Sequence, residues 1–322
     1  MQQGILPSRA PGTSYTEMML YATWFLTYVV QSCANLFNPQ ASFPFEAARE
    51  LTKYLLPFIF AALCWSCCLR AGNLASTRKN GVRCHGKDWT VNIGQTKDDP
   101  DGGKASDKFG DRGDNILHHT GGGCFCHPKV PTRPDGTPPH VLHAIQIWLN
   151  ISSMDEDKCL CAACAIQLYV IIMDHLAHSF SDPPGSSSFD VKGDAPFFPL
   201  PVPRNTAGQS LFYYDETMTP VQGKATTKVY AEVVNAEKAR QLNGVALDDL
   251  DECSSREHTW KVGAMIFSAM QKMTQNESAR FGHHCEKSLK AVAHLPHLCK
   301  SCHPAPPSPV CHPHPSSLPA SC

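Results

Sequence analysis

Five side chains of this sequence could work on an anion. His258 and Lys261 stand three residues apart in His258-Thr259-Trp260-Lys261, a spacing that puts an imidazole and an ammonium on one side of a helix turn. Downstream, Phe281-Gly282-His283-His284 offers an imidazole after a glycine-permitted tight turn. Arg70 is the lone charge at the end of the apolar run Tyr54–Leu69, and Lys97 follows the alternating stretch Trp89-Thr90-Val91-Asn92-Ile93. Cations and imidazoles around one phosphodiester can hold its non-bridging oxygens and supply the proton its leaving oxygen needs. Each has a plainer reading. Arg70 is also what a helix end snorkelling to solvent looks like, and Lys97 is also an ordinary solvated hairpin lysine.

Helices must position most of these groups. Val262, Met265, Ile266, Ala269, Met270 and Met273 recur at helical spacing behind His258. Further helices are predicted over residues 16–37, with Ser14 or Thr16 as the cap, over Glu46–Leu69, over Cys161–His178 and from a cap near Thr226 to Leu242. Trp89, Val91 and Ile93 alternate with Thr90 and Asn92 as a half-buried strand does. Residues 54–69 are nearly all apolar but contain Pro57 and end at Arg70, which favours a buried core helix over a membrane span. Residues 100–140 show little periodicity and read as a long insertion.

The order of these motifs resembles the catalytic domain of the tyrosine recombinase and phage integrase family. That family carries an Arg in a Leu-Arg-small-Gly/acid-Leu segment, matched by Leu69-Arg70-Ala71-Gly72-Asn73-Leu74 with Asn73 in place of the usual acid. Thr96-Lys97-Asp98 is similar to its hairpin lysine motif, His258-x-x-Lys261 to its His-x-x-Arg, and Gly282-His283 to its Gly-His step. Asp194–Pro199 is similar to the strand it places before the last helices, and Cys161-Ala-Ala-Cys164 loosely to its Cys-Pro-x-x-Ala helix start. The resemblance implies an α+β, mainly helical, integrase-like domain with a small β-hairpin sheet and long irregular insertions. It implies a residue order of 1–49 as an N-terminal helical segment, 50–295 as the catalytic-type domain and 296–322 as a disordered tail.

By the same resemblance, Arg70 and Lys261 clamp a DNA phosphate, Lys97 protonates the departing oxygen, His258 assists proton transfer and His283 hydrogen-bonds the phosphate. The implied partner is double-stranded DNA, bound by an assembly of several copies, in DNA recombination and integration of the kind mobile elements perform. The implied setting is intracellular, in a nucleus or nucleoid. Two departures weaken the chemistry. Lys261 replaces an Arg and cannot make the bidentate fork to phosphate. Val292 stands where the nucleophilic Tyr belongs, and no Tyr follows Tyr230 in this sequence. Strand cleavage is therefore expected to be impaired or lost. No cofactor, metal or membrane contact is expected.

Composition sets the background. The 322 residues suffice for one large or two ordinary domains, and a hydrophobic share of 42% suffices for a core. A net charge of −1 advertises no global basic field, so any phosphate contact must come from a local patch. The sequence opens with no charged start, apolar run and cleavage site, so its 16 Cys are expected as reduced thiols or metal ligands. Cys124, Cys126, His127, Cys159, Cys161 and Cys164, and in the tail Cys299, Cys302, His303 and Cys311, have spacings a tetrahedral zinc site could use. Scattered thiols are the preferred reading of both groups, and a zinc-stabilised Cys/His interaction protein without enzymatic activity is the alternative function. Cys299-Lys-Ser-Cys302-His303 spells the haem-attachment pattern, but in a Pro-rich stretch with no helical pocket around it. No P-loop, dinucleotide fingerprint, zincin motif or Gly-x-Ser-x-Gly elbow occurs.

Overall fold

The computed structural model describes residues 12–32, 44–85, 88–92, 114–117, 161–180, 189, 193–203, 210–241, 253, 255–256 and 259–270. In chain order these form α1 (Tyr15–Ser32), α2 (Phe45–Ser66), α3 (Ala71–Ala75), a 3-10 turn (Lys79–Gly81), β1 (Val82–His85), β2 (Asp88–Asn92), β3 (Asp114–Leu117), α4 (Ala162–Ser179), β4 (Pro199–Pro201), β5 (Phe212–Thr217), α5 (Pro220–Gln241) and α6 (Thr259–Met270). The architecture is α+β and mostly helical, with two small antiparallel sheets.

α2 is the central element because its second half has no polar face. From Leu55 to Trp65 every residue is buried, Pro57 included. α1, α4, α5 and α6 all pack against it. Burying a Leu, Ile or Phe side chain contributes about 1.5–3 kcal/mol, so this one helix gathers a large share of the core. α1 contributes Met18, Tyr21, Phe25, Leu26 and Val29 to the same buried cluster, so residues on both sides of position 49 share one core. Among the described residues no helix is long and apolar enough to cross a membrane.

Capping sets the helix starts. Ser14 and Glu17 form a reciprocal capping box: the Ser14 N–H donates to Glu17 Oε2 at 2.7 Å and the Glu17 N–H donates to Ser14 Oγ at 3.2 Å. α5 begins six residues before its predicted cap at Thr226. Thr219 and Gln222 form the box instead, with the Gln222 N–H donating to Thr219 Oγ1 at 3.3 Å and the Thr219 N–H donating to Gln222 Oε1 at 2.7 Å. Pro220 takes the first helical position, where its missing N–H costs nothing.

The strand predicted through Ile93 is described as far as Asn92. β2 is the middle of the order β1-β2-β3, pairing Val82 with Val91 on one side and Trp89 with Leu117 on the other. Trp89, Val91, Val82 and Leu117 are buried. The stretch Asp194–Pro199, expected as a strand, reaches the strand state only at β4, which pairs with β5. No strand was predicted over Phe212–Thr217, where only Phe212 is buried and the alternation is weak. Phe197 and Phe198 sit in an aromatic cluster with Tyr169 and Phe60, and the Tyr169 hydroxyl donates to the Phe197 carbonyl at 2.9 Å.

Candidate functional site

The end of α2 makes the turn that presents Arg70. The Leu69 N–H donates back to the Cys64 carbonyl at 2.8 Å and the Cys68 N–H to the Trp65 carbonyl at 3.3 Å. This pair of bonds is the Schellman motif, which needs a left-handed residue just past the helix end. Cys68 fills that position with φ +52°, where glycine is usual. An L-residue there costs about 1–2 kcal/mol, and such strain concentrates at functional turns. After the turn the chain runs extended through Arg70 (φ −89°, ψ 144°), whose carbonyl accepts the N–H groups of Asn73 at 3.0 Å and Leu74 at 3.1 Å to open α3. α3 then lies on α5 so closely that a Cβ on Gly223 would come within 2.9 Å of the Ala71 carbonyl oxygen. Arg70 is therefore held between two anchored helices, with its side chain half-buried.

Lys261 comes to the same turn from α6. The Cys68 thiol lies 3.7 Å from the Lys261 carbonyl, a sulfur hydrogen bond joining segments 193 residues apart. Burial pushes the Cys68 thiol up to about 12, and the nearby positive charge of Lys261 pulls against that rise. The Lys261 ammonium therefore also acts on this turn. Cys64 and Cys67 are buried beside it and have raised pKa values too, Cys67 to about 12, because burial disfavours the thiolate and neighbouring thiols add to the effect. These thiols are protonated spacers rather than nucleophiles.

Of the five predicted residues, Arg70 and Lys261 are described, and the contact between them is indirect, through Cys68 and the Lys261 backbone carbonyl. His258, directly before α6 in sequence, lies outside the described residues, as do Lys97, between β2 and β3, and His283. Asn73 follows Arg70 by less than one turn of chain, in the place where the family resemblance expects an acid. Among the described residues no carboxylate forms an ion pair with Arg70. Two surface grooves of about 230 and 290 Å³ lie elsewhere, around Trp24 and Tyr54 between α1, α2 and α5, and neither is lined by Arg70 or Lys261.

Cys68 itself escaped the sequence reading. Its signal was a non-glycine residue at the point where an apolar helix must stop, two residues before a charged one. Lys79 escaped too: it is only 7% exposed and its ammonium sits 4.2 Å above the Phe189 ring, a cation held by an aromatic face. Of the two Cys/His groups considered for zinc, Cys161 and Cys164 are buried at the start of α4, and the other members lie outside the described residues. Among the described residues no cluster of three His, Cys, Asp or Glu side chains could hold a metal ion. No family model matches this chain, and no curated protein matches it.

Proposed function

We propose that this chain binds double-stranded DNA as a tyrosine-recombinase-type protein with an integrase-like domain, and that its strand-cleaving step is impaired or lost. The observation that carries the reading is the 3.7 Å contact between Cys68 and Lys261, because it sets the Arg70 turn against the helix that bears Lys261. In this reading the two cations, from distant parts of the chain, share one corner, where a phosphate takes charge from both.

In this reading Arg70 supplies a planar fork to two non-bridging oxygens, and Lys261 supplies a compact point charge to one. Lys97 is the acid for the leaving 5′ oxygen, His258 moves a proton and His283 donates to the phosphate. Losing one preorganised donor lowers the rate of such a step by about a hundredfold to a thousandfold. Cleavage in the family needs a Tyr oxygen to attack phosphorus and keep the bond energy in a covalent phosphotyrosine. Val292 offers no such atom. What remains is a phosphate-binding surface able to hold DNA, as several copies on one duplex, in a role derived from DNA integration.

The test is direct binding of the full chain to a fluorescent duplex, comparing wild type with the double variant Arg70→Ala/Lys261→Ala. The reading expects binding that the double variant weakens. A wild-type chain with no affinity for duplex DNA at low salt, or a double variant that binds as well as wild type, ends it.

A further inference from the structure

The first turn of α6 is gripped by residues from the other end of the chain. Gly12 and Gly263 lie directly against each other: a Cβ on Gly12 would come within 2.5 Å of the Gly263 nitrogen. One on Gly263 would overlap the Thr13 carbonyl oxygen and come within 2.7 Å of the Trp65 ring. The Thr13 N–H donates to the Thr259 carbonyl at 3.1 Å, and the two buried threonine hydroxyls are 3.0 Å apart. This grip falls on the residues flanking Lys261.

A second set of bonds ties the grip to α5. Glu17 uses Oε2 to accept the Ser14 N–H and Oε1 to accept the Lys238 ammonium, in an ion pair whose side chains are only 11% and 21% exposed. The approach to α6 is held on the same helix: the Cys253 N–H donates to Asn235 Oδ1 at 2.9 Å, and the Thr227 hydroxyl lies 2.6 Å from the Ser255 carbonyl. Gly12, Thr13, Ser14 and Glu17 thus form one wall and α5 the other, with the start of α6 between them.

We propose that Gly12–Glu17 is a clasp that positions α6, and so sets where Lys261 stands relative to Arg70. The functional unit then includes the N-terminal turn, whose Thr13 is 246 residues away in sequence from Thr259 at the start of the helix it seats. Thr13, Glu17 and Lys238 are positioning residues. They touch no phosphate, but removing them lets α6 swing on its contact with Cys68. The consequence for DNA rests on the function proposed above, while the clasp itself does not.

Hydrogen exchange followed by mass spectrometry on the full chain tests it, with α4 as the internal reference. Breaking a buried ion pair from one side should speed exchange across α6 by about a hundredfold or more in Glu17→Gln and in Lys238→Met. Thr13→Val, a milder change in case those variants fail to fold, should speed it by about tenfold. The exchange of α4 should stay as in wild type, and the swapped pair Glu17→Lys/Lys238→Glu should recover part of the protection. Unchanged exchange in α6, or a rise that α4 shares equally, overturns the clasp. If the wild-type chain shows no affinity for DNA, the function fails while the exchange result still decides the clasp.

Discussion

The salt dependence of DNA binding should reveal whether Arg70 and Lys261 serve one phosphate or two. Each phosphate neutralised by a protein cation steepens the fall of log K with log salt by about 0.9 on duplex DNA. Between about 50 and 200 mM salt, one lost phosphate contact therefore removes about a 3.5-fold share of the drop in affinity. The turn before Arg70 and the helix carrying Lys261 meet at a thiol–carbonyl contact of 3.7 Å, and on the function proposed above both cations face the same phosphate. Arg70→Ala and Lys261→Ala should then each lower affinity but shift the slope by well under 0.9, since the remaining cation still neutralises that phosphate. The double variant should shift it by about 0.9, not about 1.8. Fluorescence anisotropy of a short duplex at four or five salt concentrations measures all three slopes. Single shifts of about 0.9 that add to about 1.8 would mean two separate phosphates, and the common corner argued above would be refuted.

Other outcomes follow from the same geometry. Cys68→Gly should be more stable than Cys68→Ala by about 1 kcal/mol in urea unfolding, because glycine adopts the left-handed turn without strain and both lose the thiol; the opposite order would mean the turn is not left-handed. Tyr169→Phe should cost about 1–3 kcal/mol by orphaning the buried Phe197 carbonyl, and a neutral substitution would mean water or another donor replaces the hydroxyl. Burial pushes the Cys67, Cys68 and Cys253 thiols up to about 12, above an ordinary thiol, so the folded state binds more protons than the unfolded chain above pH ~9. Their contribution is intact below that pH and is lost as pH climbs toward 12, so thermal stability should fall between pH 9 and about 11; a flat profile there would show these thiols are not buried. Peptide mapping after brief alkylation at neutral pH should find exposed Cys84 modified well before Cys64, Cys67 or Cys68. A cleavage-trapping suicide duplex should yield no covalent protein–DNA adduct, and an adduct would show that a nucleophile other than a Tyr at position 292 is in use.

Most of the helices were legible in the sequence because their signals are local. The apolar run before Arg70 contains Pro57 and ends at a charge, which favours a buried helix, Ser14 stands three residues before Glu17 as a capping box requires, and Trp89 and Val91 alternate with polar neighbours as a half-buried strand does. The same holds for α4 and for the helix behind His258. The early start of α5 lies in Thr219-Pro220-Val221-Gln222, which the sequence reading passed over; Thr226 and Thr227 instead sit inside the helix and donate to the Gly223 and Lys224 carbonyls. β5 was hidden because its exposed residues, Tyr213, Asp215 and Glu216, break the alternation.

By itself the sequence determined which stretches are helical, where the lone charges fall along them, and that no tyrosine follows Tyr230. Only the tertiary structure decided which segments meet. The turn before Arg70 is joined to α6 by a thiol bond across 193 residues, and the start of α6 is set by Gly12 and Thr13 pressing against Gly263 and Thr259. Such contacts leave no periodic trace, because the two partners are short, lie far apart in the chain, and are brought together by the packing of α1, α5 and α6 around α2.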